Sequence, residues 1–379
     1  MIRRAPFPPR IPTRPVAVGL MSGTSADAVS AVVARLSERG LRASARILAE
    51  VHVPYPEPVR RRILAAQRSR LSDVCELSFE VGEAFAAAAN RAIRRAGTRP
   101  HFVASHGQTI RHVPRGPTPS TLQVGHGSVI AARTGLPVVS DFRPADIAAG
   151  GEGAPLVPLA DEAFFRAPGR TRVLLNLGGI ANVTVLPADG SPAWGFDTGP
   201  ANGPLDETIR RWSRGRIAYD ADGEMARLGE VDTRLLGRLL ADPYFRRRPP
   251  KSTGKERFGA ALAARLASRG RRVESILATL VELAACSVAD AIERFVRPAP
   301  EEVIASGGGC LNGFLLQRIR ARLAPLPVET SDVLGVPVLA REALAFAYLG
   351  WRTLRGLPGN LPGATGARRP AVLGVIALP

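Results

Sequence analysis

Cysteine and lysine are the scarcest reactive residues in this 379-residue chain, which holds only Cys75, Cys286 and Cys310 and only Lys251 and Lys255. Three widely separated cysteines make neither a disulfide framework nor a thiolate zinc site. They suit a reducing, cytoplasmic setting. Apolar runs are short as well. Glycine, proline or charge interrupts each before the ~18 residues that a membrane helix needs, so no membrane partner is expected. The first fifteen residues carry four arginines and five prolines and lack the apolar core of a secretory signal. Residues 1–15 read as a disordered leader. Aromatic residues are 5% of the chain, while the formal charge is +18. The cations lie in scattered groups such as Arg60–Arg62, Arg210–Arg211 and Arg246–Arg248, with no aromatic interleaving or groove-reading module. This pattern fits solvated surface and a coding bias towards arginine, and it argues against a nucleic-acid partner.

What remains is an ordinary globular composition. With 45% hydrophobic residues the chain can bury a large core and divides into two domains. An apolar run, Val16–Val18, leads into Gly19-Leu20-Met21-Ser22-Gly23-Thr24-Ser25-Ala26-Asp27. Val29, Ala31, Val32 and Val33 then resume the apolar pattern, so a strand-turn-strand hairpin is expected. Gly23 allows close approach, and Ser22, Thr24, Ser25 and the turn amides offer donors to a phosphate. An ordinary Ser/Gly turn reads the same way on this stretch alone.

Further on, Ala43–His52 reads as a strand and Glu57–Ala66 as the start of a helical section. Leu71–Ala96 places Val74, Leu77, Val81, Phe85 and Ala88 on one helical face, with Gly97 closing it. A short strand, Phe102–Ala104, ends in Ser105-His106-Gly107-Gln108-Thr109-Ile110-Arg111-His112. His106 and His112 could serve as acids or bases or simply hydrogen-bond a turn. No cysteine or acidic cluster completes a metal site with them. Leu122–Ala132 and Val138–Ser140 read as continued sheet. Asp141-Phe142-Arg143-Pro144-Ala145-Asp146 follows, then a glycine-rich loop, Gly150–Pro155, that could bring backbone close to a sugar or phosphate.

The second half repeats the opening logic in Val173–Thr184, strand, Gly178-Gly179 turn, strand. Gly195-Phe196-Asp197-Thr198-Gly199 then sets one carboxylate among small residues. Such a carboxylate can take a proton from water or an alcohol, or can cap local amides. Lys251-Ser252-Thr253-Gly254-Lys255 lacks the upstream glycine of a Walker loop. Val273–Phe295 is a long amphipathic helix. A strand, Val303–Ala305, runs into Gly307-Gly308-Gly309 ahead of a helical Phe314–Leu323. Arg341–Leu349 is the last helix expected, and the tail from Gly356 is rich in Gly and Pro.

In this order, GLMSGTSADA, SHGQTIRH, SDFRPADIAAGGEGAPLVP, NLGGIANVT, GFDTGPAN, KSTGKERF, SGGGCLN and LPGNLPGATGA resemble the anhydro-N-acetylmuramic acid kinases, over nearly the whole chain. The resemblance implies an α/β, two-domain actin-like ATPase (ribonuclease H-like) fold with a central cleft. It places residues 16–143 and 345–379 in one domain and 144–344 in the other. It implies ATP and Mg²⁺, the anhydro sugar as substrate, and a homodimer. It also implies hydrolytic opening of the 1,6-anhydro bridge coupled to phosphorylation of O6.

By the same resemblance Asp197 is the catalytic base. Ser22, Gly23, Thr24, Ser25 and Asp27 serve one phosphate hairpin, and Asn176, Gly178 and Gly179 the second turn. Gly307, Gly308 and Gly309 serve the adenosine side, and His106, Arg143, Asp146 and Glu342 the sugar. Several positions depart from the family pattern: Ala26 and Ala28 stand in the hairpin where Leu and Gly are usual. Ser30 replaces a second hairpin carboxylate, Ala201 a glycine, and His126 an Asn or Asp. A kinase for another amino sugar, or a silent sugar or nucleotide sensor on the same fold, are the alternatives these departures leave open.

Overall fold

The computed structural model describes residues 11–40, 42–267 and 270–379. Most of the expected leader lies outside them. Thirteen strands are present among the described residues: β1 Val16–Met21, β2 Ala28–Arg39, β3 Arg42–Pro54, β4 Phe102–Ser105, β5 Gln108–Val113, β6 Ser120–Val124, β7 Val138–Ser140, β8 Arg172–Leu177, β9 Ile180–Leu186, β10 Trp194–Pro200, β11 Glu302–Ser306, β12 Val328–Thr330 and β13 Val375–Ala377.

The chain forms two compact units. One runs to Phe165 and resumes at Ala340, and the other spans Arg166–Leu339. From sequence the crossings are expected at 143/144 and 344/345. The segment after Ser140 stays with the first unit because Asp146 and Asp161 are tied to residues of the returning C-terminal stretch, Asn360 and Thr365 in one case and Arg341 in the other.

The first unit holds a six-stranded sheet in the order β13-β7-β4-β1-β2-β3. β1 and β2 pair antiparallel, as do β2 and β3, while β1, β4 and β7 are parallel. The second unit repeats the scheme as β10-β9-β8-β11-β12. There β8, β9 and β10 are antiparallel neighbours and β8, β11 and β12 parallel. Three antiparallel strands followed by parallel ones, order 3-2-1-4-5, form a ribonuclease H-like unit. Its duplication is the two-domain actin-like ATPase fold. The unbroken apolar runs within β1, β4 and β8 follow from this topology, since a central strand covered on both faces has no wet side.

Helix Leu71–Ala96 runs with the expected bounds and ends where Gly97 turns left-handed at φ 60°. Its Leu77, Val81 and Phe85 pack with Val18, Leu20 and Val29 of the sheet. Each such fully buried side chain contributes roughly 1.5–3 kcal/mol. On the other face, helix Arg341–Leu354 lies so close to β1 that a Cβ at Gly19 would fall 1.8 Å from the Ala343 carbonyl oxygen. Only glycine fits there.

Three expectations change. Leu122–Ala132 is not continuous sheet: after β6 the chain enters helix Gly127–Thr134, because His126 accepts the Ser128 N–H as a cap and Gly135 closes the helix left-handed. The Gly/Pro-rich tail contributes β13, which pairs antiparallel with β7. Helix Val273–Phe295 is long and apolar enough by composition to cross a membrane, with a mean hydropathy of 1.7. Nearly all of it is buried in the second unit, where Leu277, Leu280 and Val281 anchor the core.

Candidate active site

In the first unit the hairpin Ser22–Asp27 is held from beneath by Gln108. Ser22 Oγ donates to Gln108 Oε1 at 2.8 Å, and Gln108 Nε2 donates to the Gly23 carbonyl at 3.2 Å. Tyr55 also donates its hydroxyl to Gln108 Oε1 at 3.3 Å. Ser22 is buried as part of this clamp, whereas Gly23 and Thr24 are exposed. The tip is therefore open to a ligand while its base is fixed. Asp27 is exposed and pairs with Arg60 at 3.0 Å. Gln108 was not singled out from sequence as a site residue. Its place at the start of a strand directly after a polar loop was the available signal.

Ser30 is bonded to His52, Oγ to Nδ1 at 2.8 Å, and His52 Nε2 meets Glu50 Oε1 at 2.6 Å. A carboxylate therefore stands one side chain away from the position where the family pattern carries one.

His106 and Arg143 come together. Arg143 Nε donates to His106 Nε2 at 2.9 Å, and His106 Nδ1 donates to the Gly107 carbonyl at 2.8 Å. These two bonds fix one neutral tautomer. Burial, reinforced by the Arg143 charge, holds the imidazole well below its ordinary 6.5. Arg143 also donates to the Gly153 carbonyl at 2.7 Å, and burial lowers its guanidinium to about 10 despite Glu342 and Asp146 nearby. Burial pushes the Glu342 carboxyl upwards, opposed by Arg341 and Arg143.

Asp146 does not present a free carboxylate to a sugar. It is fully buried, and it accepts from Gly153 N–H at 2.7 Å, Asn360 Nδ2 at 2.7 Å and Thr365 Oγ1 at 2.8 Å. Its bonds shape the Gly150–Pro155 loop. His112 instead pairs with Thr121 Oγ1 at 3.1 Å within the small β5–β6 sheet.

A cavity of about 330 Å³ in this unit is bordered by His106, Gly107, Gln123, His126, Ser140 and Asp141. That volume suits a small ligand. Asp141 adopts a left-handed backbone, φ 58°, and burial raises its carboxyl above 3.8. Its signal in the sequence is an acid directly after a strand end.

One expected result follows for His106. Because its folded pKa lies below the unfolded one, the unfolded chain takes up the proton first, and stability falls as pH drops through 6.5. Its ring resonances should show no titration between pH 8 and 6.5 in the folded protein. A midpoint inside that window would contradict the buried neutral state.

In the second unit Asn176, Gly178, Gly179 and the glycine run come together. Gly307, at φ 90°, lies where a Cβ would sit 2.6 Å from Asn176 Oδ1 and 2.8 Å from the Leu177 carbonyl oxygen. Gly308 faces open space. The Gly178 and Gly179 carbonyls accept the amides of Asn202 and of Ala201 and Gly203 respectively, at 3.0–3.1 Å. This seats the start of helix Asn202–Trp212 against the turn.

Asp197 lies in β10 beside a bulge between Asp197 and Gly199. Thr253 N–H donates to Asp197 Oδ2 at 2.9 Å, Tyr244 donates its hydroxyl to the Asp197 carbonyl at 2.7 Å, and Asp197 N–H donates to the Lys251 carbonyl at 3.1 Å. Burial raises the carboxyl to about 6; the Thr253 bond lowers it, Glu256 adds to the rise and Lys251 opposes it. A carboxylate held by a single amide and poised near neutrality can accept a proton from water.

Duplicated ribonuclease H-like units, each opening on a glycine-bearing hairpin, with one desolvated carboxylate in the second, define the actin-like ATPase class. A family model described as anhydro-N-acetylmuramic acid kinase matches residues 15–379. Named anhydro-N-acetylmuramic acid kinases from Streptomyces avermitilis and Caldanaerobacter subterraneus are 47% and 40% identical. The alignments cover 95% of this chain in both cases, and 93% and 96% of those proteins. The chain belongs to the anhydro-N-acetylmuramic acid kinase family. Among solved structures, a ROK family glucokinase from Streptomyces griseus in complex with glucose and AMPPNP aligns at TM-score 0.39 and 16% identity, over 88% of this chain and 98% of that one. The strand order, and not this distant likeness, defines the fold.

Proposed function

We propose that the chain is an ATP-dependent kinase that opens the 1,6-anhydro ring of anhydro-N-acetylmuramic acid with water and phosphorylates O6, giving N-acetylmuramic acid 6-phosphate. The observation that carries this reading is Asp197, a desolvated carboxylate at about 6 aimed by the Thr253 amide, in the Gly-Phe-Asp position of a chain of this family. Asp197 takes a proton from water, whose oxygen attacks C1. The C1–O6 bond breaks, O6 forms its bond to the γ-phosphorus, and ADP leaves. Positioning and charge neutralisation carry most of the catalysis in such a transfer.

Ser22 to Ser25, Asp27 and Gly178–Gly179 are assigned to the phosphates, and Gly307–Gly309 to the adenosine. His106 and Arg143 are assigned to the sugar, with Glu342 beside them and Asp146 positioning the loop that Arg143 grips. Among the described residues no group of three His, Cys, Asp or Glu side chains forms a metal cage. Asp27, exposed beside the hairpin tip and paired with Arg60 at 3.0 Å, is the carboxylate that would meet an Mg²⁺ ion carried in on the nucleotide. When bound, the ion supplies positive charge to the transferring phosphoryl group. A homodimer and a cytoplasmic setting complete the reading. The free Cys75, Cys286 and Cys310 are compatible with a reducing compartment.

The deciding experiment supplies Mg-ATP and the anhydro sugar in ¹⁸O-water. One ¹⁸O at the C1 hydroxyl and none in the phosphate ester is expected. Label in the ester, or product formed only from another amino sugar, would sink the proposal, and binding of both ligands without product would favour a sensor.

A further inference from the structure

Lys251, one of only two lysines, is buried, with 5% of its surface exposed. Its ammonium lies 4.8 Å from the Tyr244 ring centre, 5.0 Å from Phe295 and 5.8 Å from Phe196. It donates to the Phe245 carbonyl at a long 3.5 Å. Among the described residues no carboxylate pairs with it. A desolvated cation held by three aromatic faces is a strong local clasp, because the ring quadrupoles attract it where water does not compete.

The clasp links three parts of the second unit. Phe196 precedes Asp197 in β10, Phe295 ends the long helix Val273–Phe295, and Tyr244 and Lys251 bracket a loop that continues, two residues past Lys251, into the Thr253 amide on Asp197. We propose that Lys251 is a positioning residue for Asp197: its boxed ammonium pins the 247–254 segment so that Thr253 N–H stays on the carboxylate. Lys251 touches no reacting atom in this role. The proposal rests on the reading of Asp197 as the base, but the carboxyl titration below does not.

The charged surroundings set the pH range. Arg247 and Arg294 face the ammonium with like charge and Asp197 with opposite charge; burial first, then the two arginines, lower it to about 8. Glu256 and Lys251 face Asp197, and Arg247, Arg257 and Asp197 face Tyr244. Above about 8 the neutral amine loses its hold on the rings and the Thr253 amide loosens.

The test compares K251R and K251M with the unchanged protein by kcat against pH and by ¹³C titration of the Asp197 carboxyl, assigned with D197N. The unchanged protein should show an alkaline limb near 8. K251R keeps a cation over the rings that does not titrate there, so its alkaline limb should vanish while the acid limb stays in place. K251M should lose roughly tenfold in kcat with little change in KM, and its Asp197 carboxyl midpoint should rise by about one unit. An alkaline limb persisting in K251R, or an unmoved carboxyl midpoint in a folded K251M, overturns the proposal. Should K251M fail to fold, the K251R profile decides alone. If D197N keeps turnover, the base reading fails, and the carboxyl titration still tests the clasp.

Discussion

Asp197→Asn is expected to reduce turnover by roughly 10³-fold or more while ATP binding stays within about twofold, since proton transfer to a positioned base contributes 10² to 10⁴ and the phosphate hairpins are untouched. Asn keeps an oxygen for the Thr253 N–H, so the loop should not move. The same change should stabilise the fold. The folded carboxyl titrates near 6 against an ordinary 3.8, so the folded state takes up the proton first on acidification. Stability therefore falls as pH rises from 3.8 through 6, and the charged form is destabilising at neutral pH. Removing the charge should stabilise the fold at pH 8 by ~3 kcal/mol at most, read as a higher unfolding midpoint. Single-turnover assays, nucleotide titration and denaturant melts read the three effects. Near-normal turnover, or a lower midpoint, would remove Asp197 from its assigned place.

The largest stability loss is expected at Asp161→Ala. Arg341 Nε donates to Asp161 Oδ1 at 2.9 Å, and a second guanidinium nitrogen donates to Oδ2, in a pair only 6% and 1% exposed. Removing the carboxylate breaks a buried ion pair from one side, which costs about 3–5 kcal/mol, whereas replacing both partners by apolar side chains of similar volume is far milder. Arg341 opens the helix whose next residue is Glu342. The loss should therefore appear as a lower denaturant midpoint together with a raised KM for the sugar and an ATP KM close to normal. An unchanged midpoint would mean that solvent reaches the pair. A change in the ATP KM alone would detach the helix start from the sugar.

Much of this was readable in advance because the deciding signals are local. Helix Leu71–Ala96 declares itself by period and by Gly97, and the Gly/Ser turns between apolar runs announce β1–β2 and β8–β9 as hairpins. Asp197 stood out as one acid among small residues. Roles that depend on a distant partner were not readable. Gln108 joins the hairpin across 86 residues, and Asp146 spends its oxygens on Asn360 and Thr365 more than 200 residues away. The reversal for Asp146 has a simple cause, since a carboxylate is available to a ligand only if the fold leaves its lone pairs open. His126, by contrast, caps a helix through a partner only two residues along, the Ser128 N–H.

The sequence by itself determined most of the elements and the family, because periodicity, glycine placement and motif order are written in consecutive residues. Only the tertiary structure decided which polar groups remain open and which carry altered acidity. Desolvation and hydrogen bonding act through space, so Asp197 poised near neutrality, His106 locked neutral beside Arg143, and Lys251 boxed by rings from three elements exist only once the chain has folded around them.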